Sequence, residues 1–130
     1  MGVKLPQNAV KLIEAKNFAH LATLLRDGSP HVAPVWVDHD GDIILINTAV
    51  GRVKHKNIMK DPRVGISITD QNNPYERVEI RGRVISETRE GADEHIDKLA
   101  NKYTGAKKYQ KSSPDEKRII LKIEPLQISS

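Results

Sequence analysis

Apolar and polar positions alternate from Arg77 to Val84, at the start of a stretch that runs to Glu87. Val78, Ile80, Gly82 and Val84 lie between Arg77, Glu79, Arg81 and Arg83. A period of two over that length predicts a long strand with one buried and one charged face. Gly82 is expected to mark a bulge or bend in it. The same period in Ile119, Leu121 and Ile123 predicts a last strand over Arg118–Glu124, interrupted by Pro125. Two earlier apolar runs, Phe18–Leu25 and His31–Val37, flank Arg26-Asp27-Gly28-Ser29. Asp-Gly between two such runs predicts a hairpin. Pro34 gives the second run an edge, a bulge or a break, because proline cannot donate to a ladder. Asp38-His39-Asp40-Gly41 predicts a second hairpin turn, leading to a strand over Asp42–Asn47; Arg63–Thr69 predicts another strand.

Helical spacing appears three times. Ala9, Leu12 and Ile13 follow the entry signal Leu5-Pro6. Ala92, Ile96, Leu99 and Tyr103 share one face of a predicted helix over Glu90–Tyr103. A short helix is expected within residues 50–60, ended by Asp61-Pro62. The elements predict a mainly β protein: a six-stranded antiparallel barrel with two or three short helices, in one domain over 1–130. Only the connection over 88–117 is long enough for a crossover.

Composition narrows the chemistry. The chain has 130 residues, and 38% apolar with 29% charged residues is ordinary for a folded domain. There is no cysteine, which excludes disulfides, thiolate catalysis and zinc–sulfur sites. No apolar run approaches the roughly 18 residues of a membrane span, and the N-terminus lacks a signal-peptide core. A cytoplasmic protein with no membrane partner is expected. A net charge of +4 suits a small anionic ligand better than a nucleic acid. The Arg77, Arg81 and Arg83 face is interleaved with Glu76 and Glu79 and lacks stacking aromatics, so no nucleic-acid partner is expected.

One basic cluster stands at a distinctive place in the chain. The predicted strand Ile43–Ile46 runs into a polar turn containing Gly51, followed by Arg52, Lys54, His55 and Lys56 at a helix start. Free N–H groups at such a terminus, with cationic side chains around them, hold anions. A run of basic residues is often only a solvated face. Its place directly after a strand and a polar turn favours a phosphate clamp. His31, His39 and His55 sit in different elements without ligand spacing, so no metal site is expected. Asp38, Asp40 and Asp42 around Gly41 suit a hairpin turn better than a calcium loop, which they do not complete. His20 is expected to be buried and hydrogen-bonded. Trp36 serves equally as core or as the wall of a site. No nucleophile, paired-carboxylate or phosphate-loop pattern is present, so no catalytic residue is named; a bound cofactor would carry the chemistry.

Three stretches carry a family resemblance: ATL…DGSPHVAPVWV, INTAVGRVKHKNIMKDPRV and YERVEIRGRV, with KYTGAKKY before the last strand. They resemble the pyridoxamine 5'-phosphate oxidase-like split β-barrel flavoproteins, and within them the short branch that uses the deazaflavin coenzyme F-420. The resemblance spans roughly residues 5–128 by layout. It implies a homodimer with cofactor at the subunit interface and hydride transfer to a small-molecule substrate. The cofactor phosphate would sit on Arg52 and Lys54, beside Gly51. The ring would lie along Ala33, Pro34, Val35 and Trp36. Asn47 and Thr48 would make polar contacts, and Arg77 would approach the ring from the same or the partner chain.

The chain departs from the true oxidase pattern. His31 stands where the second strand carries a phosphate-binding arginine there, a lysine near Val37 is missing, and the substrate segment after the last strand has no counterpart before Ser130. Vitamin B6 oxidation is therefore not expected, and the deazaflavin is favoured over FMN. An FMN-dependent oxidoreductase and a non-catalytic cofactor-binding or haem-binding barrel are the alternatives. The acceptor cannot be read from the sequence.

Overall fold

A computed structural model describes residues 2–130. Helix α1 is Gln7–Glu14, followed by strands β1 (Ala19–Leu24), β2 (Pro30–Val35), β3 (Asp38–Asp40) and β4 (Ile43–Ala49). Helix α2 (Val53–Lys60), β5 (Arg63–Thr69), β6 (Arg77–Thr88), α3 (Ala92–Thr104) and β7 (Arg118–Ser129) complete the chain. The strands form one sheet in the order β2-β1-β5-β6-β7-β4-β3. Every neighbouring pair is antiparallel. The architecture is the split barrel expected, with three corrections.

The sheet has seven strands, not six. Asp38-His39-Asp40 is not a turn but a short strand paired with Ile43–Leu45, and the turn itself falls at Gly41 with φ +60°. The last strand also runs past Pro125 to Ser129. Pro125 is opposite Gly82, where the register shifts, and it lies beyond the stretch paired with β4. A proline without an N–H is tolerated at such a bulge. The bulge expected at Gly82 is there, and its cause is close approach: a Cβ would lie 2.6 Å from the Glu124 carbonyl oxygen. The long connection 88–117 is no crossover, because β6 and β7 are antiparallel neighbours.

β2 and β3 are opposite edges of the sheet, yet only Trp36 and Val37 separate them in the chain. Three Cα steps reach roughly 10 Å, so the sheet must curl until its edges meet. A covalent seam links the two edges, but no hydrogen-bonded ladder joins them, so the barrel stays split. Pro34 accordingly lies in an edge strand.

The inward faces of the strands fill the core. Leu21, Ile44, Ile46, Ile68, Leu121 and Ile123 are fully buried, and α1 plugs one end with Ala9, Leu12 and Ile13. His20 lies exposed on the outer face, contrary to expectation. The run around it is apolar at most positions, so its pattern does not mark which face turns inward. Helix α3 packs outside β4 and β7 with a second cluster, Ile96, Leu99 and Tyr103, against Trp36 and Tyr109.

α3 clasps the seam. The Tyr103 hydroxyl donates to the Asn17 carbonyl (2.6 Å) and accepts the Val37 N–H (3.2 Å). Lys102 Nζ donates to the carbonyls of Ile13 (2.6 Å) and Val37 (3.2 Å). The Tyr103 ring stacks on Trp36 at 5.3 Å, with 5° between the planes. Tyr103→Phe keeps the stack but strands a buried donor and a buried acceptor. It is expected to cost about 1–3 kcal/mol, read as a lowered urea midpoint with an unchanged slope.

Candidate functional site

Beside the seam lies a cleft lined by Pro34, Val35, Trp36, Asn47, Thr48, Arg52, Lys54, Ile96, Tyr109 and Arg118. Five elements and three connecting segments meet there. β2 and the seam form an apolar wall, with Trp36 held flat by Tyr103 and meeting the Tyr109 ring edge-on at 6.4 Å. The end of β4 brings Asn47 and Thr48. The turn into α2 brings Arg52 and Lys54. β7 brings Arg118.

The turn is built by a histidine. His55 is buried in α2, and its Nδ1 accepts the Gly51 N–H at 3.2 Å. Its Nε2 lies 3.0 Å from Glu87. Gly51 has φ +89°, a conformation that favours glycine. Arg52 occupies the N-cap of α2 without a side-chain cap bond. The first N–H groups of that helix are thus left for water or a ligand. Lys56 is exposed and outside the cleft.

Arg118 is only 4% exposed. Its Nε donates to Asn47 Oδ1 (2.9 Å), its Nη1 to Glu116 (2.9 Å), and its guanidinium lies over the Tyr109 ring at 4.8 Å. Glu116 also lies 3.6 Å from Arg52. Burial opposes ionisation of Glu116, but bonds from Ser112 and from Arg118 win and hold its carboxyl at about 2. Lys54 is pushed the other way: burial first, then the nearby charges of Arg52 and Arg118, lower its pKa. Three cations against one carboxylate leave a surplus of two positive charges at the cleft. An anion there relieves the repulsion that depresses Lys54. Thr48, 1% exposed, also lines the cleft, and its Oγ1 has no hydrogen-bond partner among the described residues. A buried hydroxyl without a partner is costly, and this one is shielded from solvent in the free protein.

A wider trough of about 420 Å³ crosses the outer sheet face past His20, Ser67, Glu79 and Arg81, against about 180 Å³ for the cleft. Its one carboxylate balances its one arginine. The cleft is the better anion site despite its size.

The sequence pattern of one family matches this chain from residue 5 to residue 130, and that family is described as pyridoxamine 5'-phosphate oxidase. The chain belongs to this family. No curated protein matches it. Among solved structures, an F-420 reductase is similar at 29% identity and a TM-score of 0.82, over 96% of this chain and 98% of that one. A putative pyridoxamine 5'-phosphate oxidase from Listeria innocua is 22% identical with a TM-score of 0.67, over 92% and 91%. A conserved hypothetical protein from Mycobacterium tuberculosis is 20% identical with a TM-score of 0.70, over 98% and 84%. The last two share the fold. Family and reductase together support an oxidoreductase of the flavin or deazaflavin type.

Within this pyridoxamine 5'-phosphate oxidase family member, seven of the ten residues expected at a site meet in the cleft: Pro34, Val35, Trp36, Asn47, Thr48, Arg52 and Lys54. Gly51 lines an adjoining groove with Ser112, Ser113 and Lys117, which shares Arg52 with the cleft. Ala33 is half-buried and does not line the cleft. Arg77 lies elsewhere in the chain, at a hollow with Lys11 and Tyr75. Arg118, Tyr109 and Ile96 were not expected. Arg118 read only as the start of a strand; the pairing of β7 with β4 places it beside Ala49.

Glu116 makes the cleft sensitive to acid. Its folded-state pKa is depressed, so its contribution to stability is complete above its ordinary value near 4.5 and is lost as pH falls toward about 2. Glu116→Gln is expected to lower stability at neutral pH and to flatten the fall over that window. Urea midpoints measured against pH check this; an unchanged acid limb excludes the assignment.

Proposed function

We propose that this protein is an oxidoreductase that binds the deazaflavin coenzyme F-420 at a homodimer interface and passes a hydride to a small-molecule acceptor. The observation that carries the reading is the convergence of Arg52, Lys54, Arg118 and the partnerless Thr48 hydroxyl at the foot of an aromatic-walled cleft. That chemistry fits a phosphate with an attached planar ring. Similarity to an F-420 reductase along nearly the whole of both chains supports the deazaflavin. Such a cofactor supplies the hydride itself.

The chain's own residues bind, orient and shield. Arg52 and Lys54 neutralise the phosphate with charge-assisted hydrogen bonds. Arg118, immobilised by Asn47 and Glu116, supplies a positive charge that does not have to be ordered on binding. Pro34, Val35 and the Trp36 face, fixed by Tyr103, hold the ring and keep water from its inner side. Ala33 supports this wall from within β2. Gly51 lets the turn deliver the free N–H groups of the first turn of α2. Arg77, distant in the same chain, would reach the ring only from the partner. The acceptor takes the exposed ring face.

FMN in the same cleft is the second reading, favoured by the family itself. Side-by-side titration decides between them. Trp36 is the only tryptophan, so its fluorescence reports occupancy of the cleft directly. The deazaflavin is expected to quench it at lower concentration than FMN; the reverse order selects FMN, and quenching by neither rejects the site.

Arg52→Ala and Lys54→Ala are each expected to weaken binding about tenfold or more with the fold intact. Thr48→Val separates binding from stability. Removal of a partnerless hydroxyl leaves the ligand-free melting temperature unchanged or higher, while affinity falls. Unaltered affinity in all three variants contradicts the clamp.

A further inference from the structure

Behind the cleft, four polar groups from four elements form one chain of hydrogen bonds. Arg118 Nε donates to Asn47 Oδ1 at 2.9 Å. Asn47 Nδ2 lies 3.1 Å from His95 Nδ1, and His95 Nε2 lies 3.0 Å from Asp38 Oδ2. The ends of the chain dictate its direction. A guanidinium only donates, so the Asn47 oxygen must face Arg118. The Asn47 nitrogen then faces the Ala92 carbonyl (2.9 Å), which only accepts, and His95. His95 Nδ1 must therefore be bare and accept. The proton of the ring sits on Nε2 and points at Asp38.

Asp38 is a dependable acceptor at that end. Burial works against its charge, but bonds from His95 and from the His39 N–H, with the Lys98 charge, hold its carboxyl at about 2. Lys98 Nζ approaches the same Oδ2 at 3.4 Å, and the His39 N–H takes Oδ1 at 2.9 Å. Asp38, Lys98 and Asn47 are the polar groups facing His95. The opposite tautomer would set two donors head to head at Asn47 and leave Asp38 without its N–H.

We infer that His95 is a positioning residue for the anion site: through its bare Nδ1 it orients the Asn47 amide, which in turn aims and immobilises Arg118. This deepens the proposed phosphate reading and rests on it for its effect on affinity. His95 does not line the cleft. Its location in the first turn of α3 links that helix to β4 and β7, while Asp38 anchors it to β3 just beyond the seam.

The first test uses the wild-type protein without ligand. Long-range proton–nitrogen NMR of His95 at mildly alkaline pH is expected to show the Nε2–H tautomer; the Nδ1–H tautomer overturns the inference. The second test uses a matched pair of variants. In His95→Asn the side-chain oxygen sits near the place of Nδ1 and still accepts from Asn47. In His95→Gln the amide nitrogen sits near the place of Nε2, so it keeps Asp38 and loses Asn47. Affinity for inorganic phosphate and for FMN is expected to stay within about threefold in His95→Asn and to fall about tenfold or more in His95→Gln. The Arg118 Nε–H resonance is expected to stay protected from exchange only in the first. Equal effects of the two variants, on exchange or on affinity, contradict positioning through Nδ1. If phosphate and FMN fail to bind even the wild type, the wild-type tautomer and Arg118 exchange decide the inference, and the deazaflavin titration decides the cleft reading. If both variants unfold, the wild-type tautomer decides alone.

Discussion

The structure depends on a seam of two residues. Trp36 and Val37 carry the chain from one edge of the sheet to the other, so the curvature of all seven strands is tied to how that short crossing is held. It is held from outside. Tyr103 and Lys102 take both backbone polar groups of Val37, and the Tyr103 ring lies flat on Trp36. The same two side chains bond the carbonyls of Ile13 and Asn17, at the end of α1 and just before β1. Neutralising buried backbone groups is what allows the crossing to be so short.

The cleft follows from the seam. Its apolar wall is the seam and the end of β2, so the contacts that close the barrel also flatten the surface on which a ring would rest. Its charged foot is contributed by the ends of β4 and β7 and by the start of α2. Desolvation makes that arrangement expensive in the free protein, as the lowered Lys54 pKa records. Glu116 offsets part of it. An anion offsets the surplus that remains, so the electrostatics favour a phosphate-bearing ligand over a neutral one.

Local patterning made most of this legible. The alternation in β6 and β7 and the hairpin at Asp27-Gly28 needed only neighbouring residues, and the structure has them. Arg52 and Lys54 could be singled out because strand, turn and helix start are consecutive. What stayed hidden depends on contacts distant in sequence. β3 is three polar residues whose only strand signal is their pairing with β4. Pro125 reads as a stop, and only the bulge opposite Gly82 makes it harmless. Arg118 is separated from Asn47 by 71 positions, and no spacing announces their bond. His20 was misassigned because β1 is apolar on both faces.

The proposed site would hold a cofactor phosphate among Arg52, Lys54 and Arg118, with its ring against Pro34, Val35 and Trp36. A crystal structure of the protein with coenzyme F-420 bound tests it most directly. The account expects phosphate oxygens within hydrogen-bond distance of all three cations and of Thr48 Oγ1, at a site completed by a second copy of the chain. A phosphate bound elsewhere, for example in the outer trough beside Arg81, would contradict it.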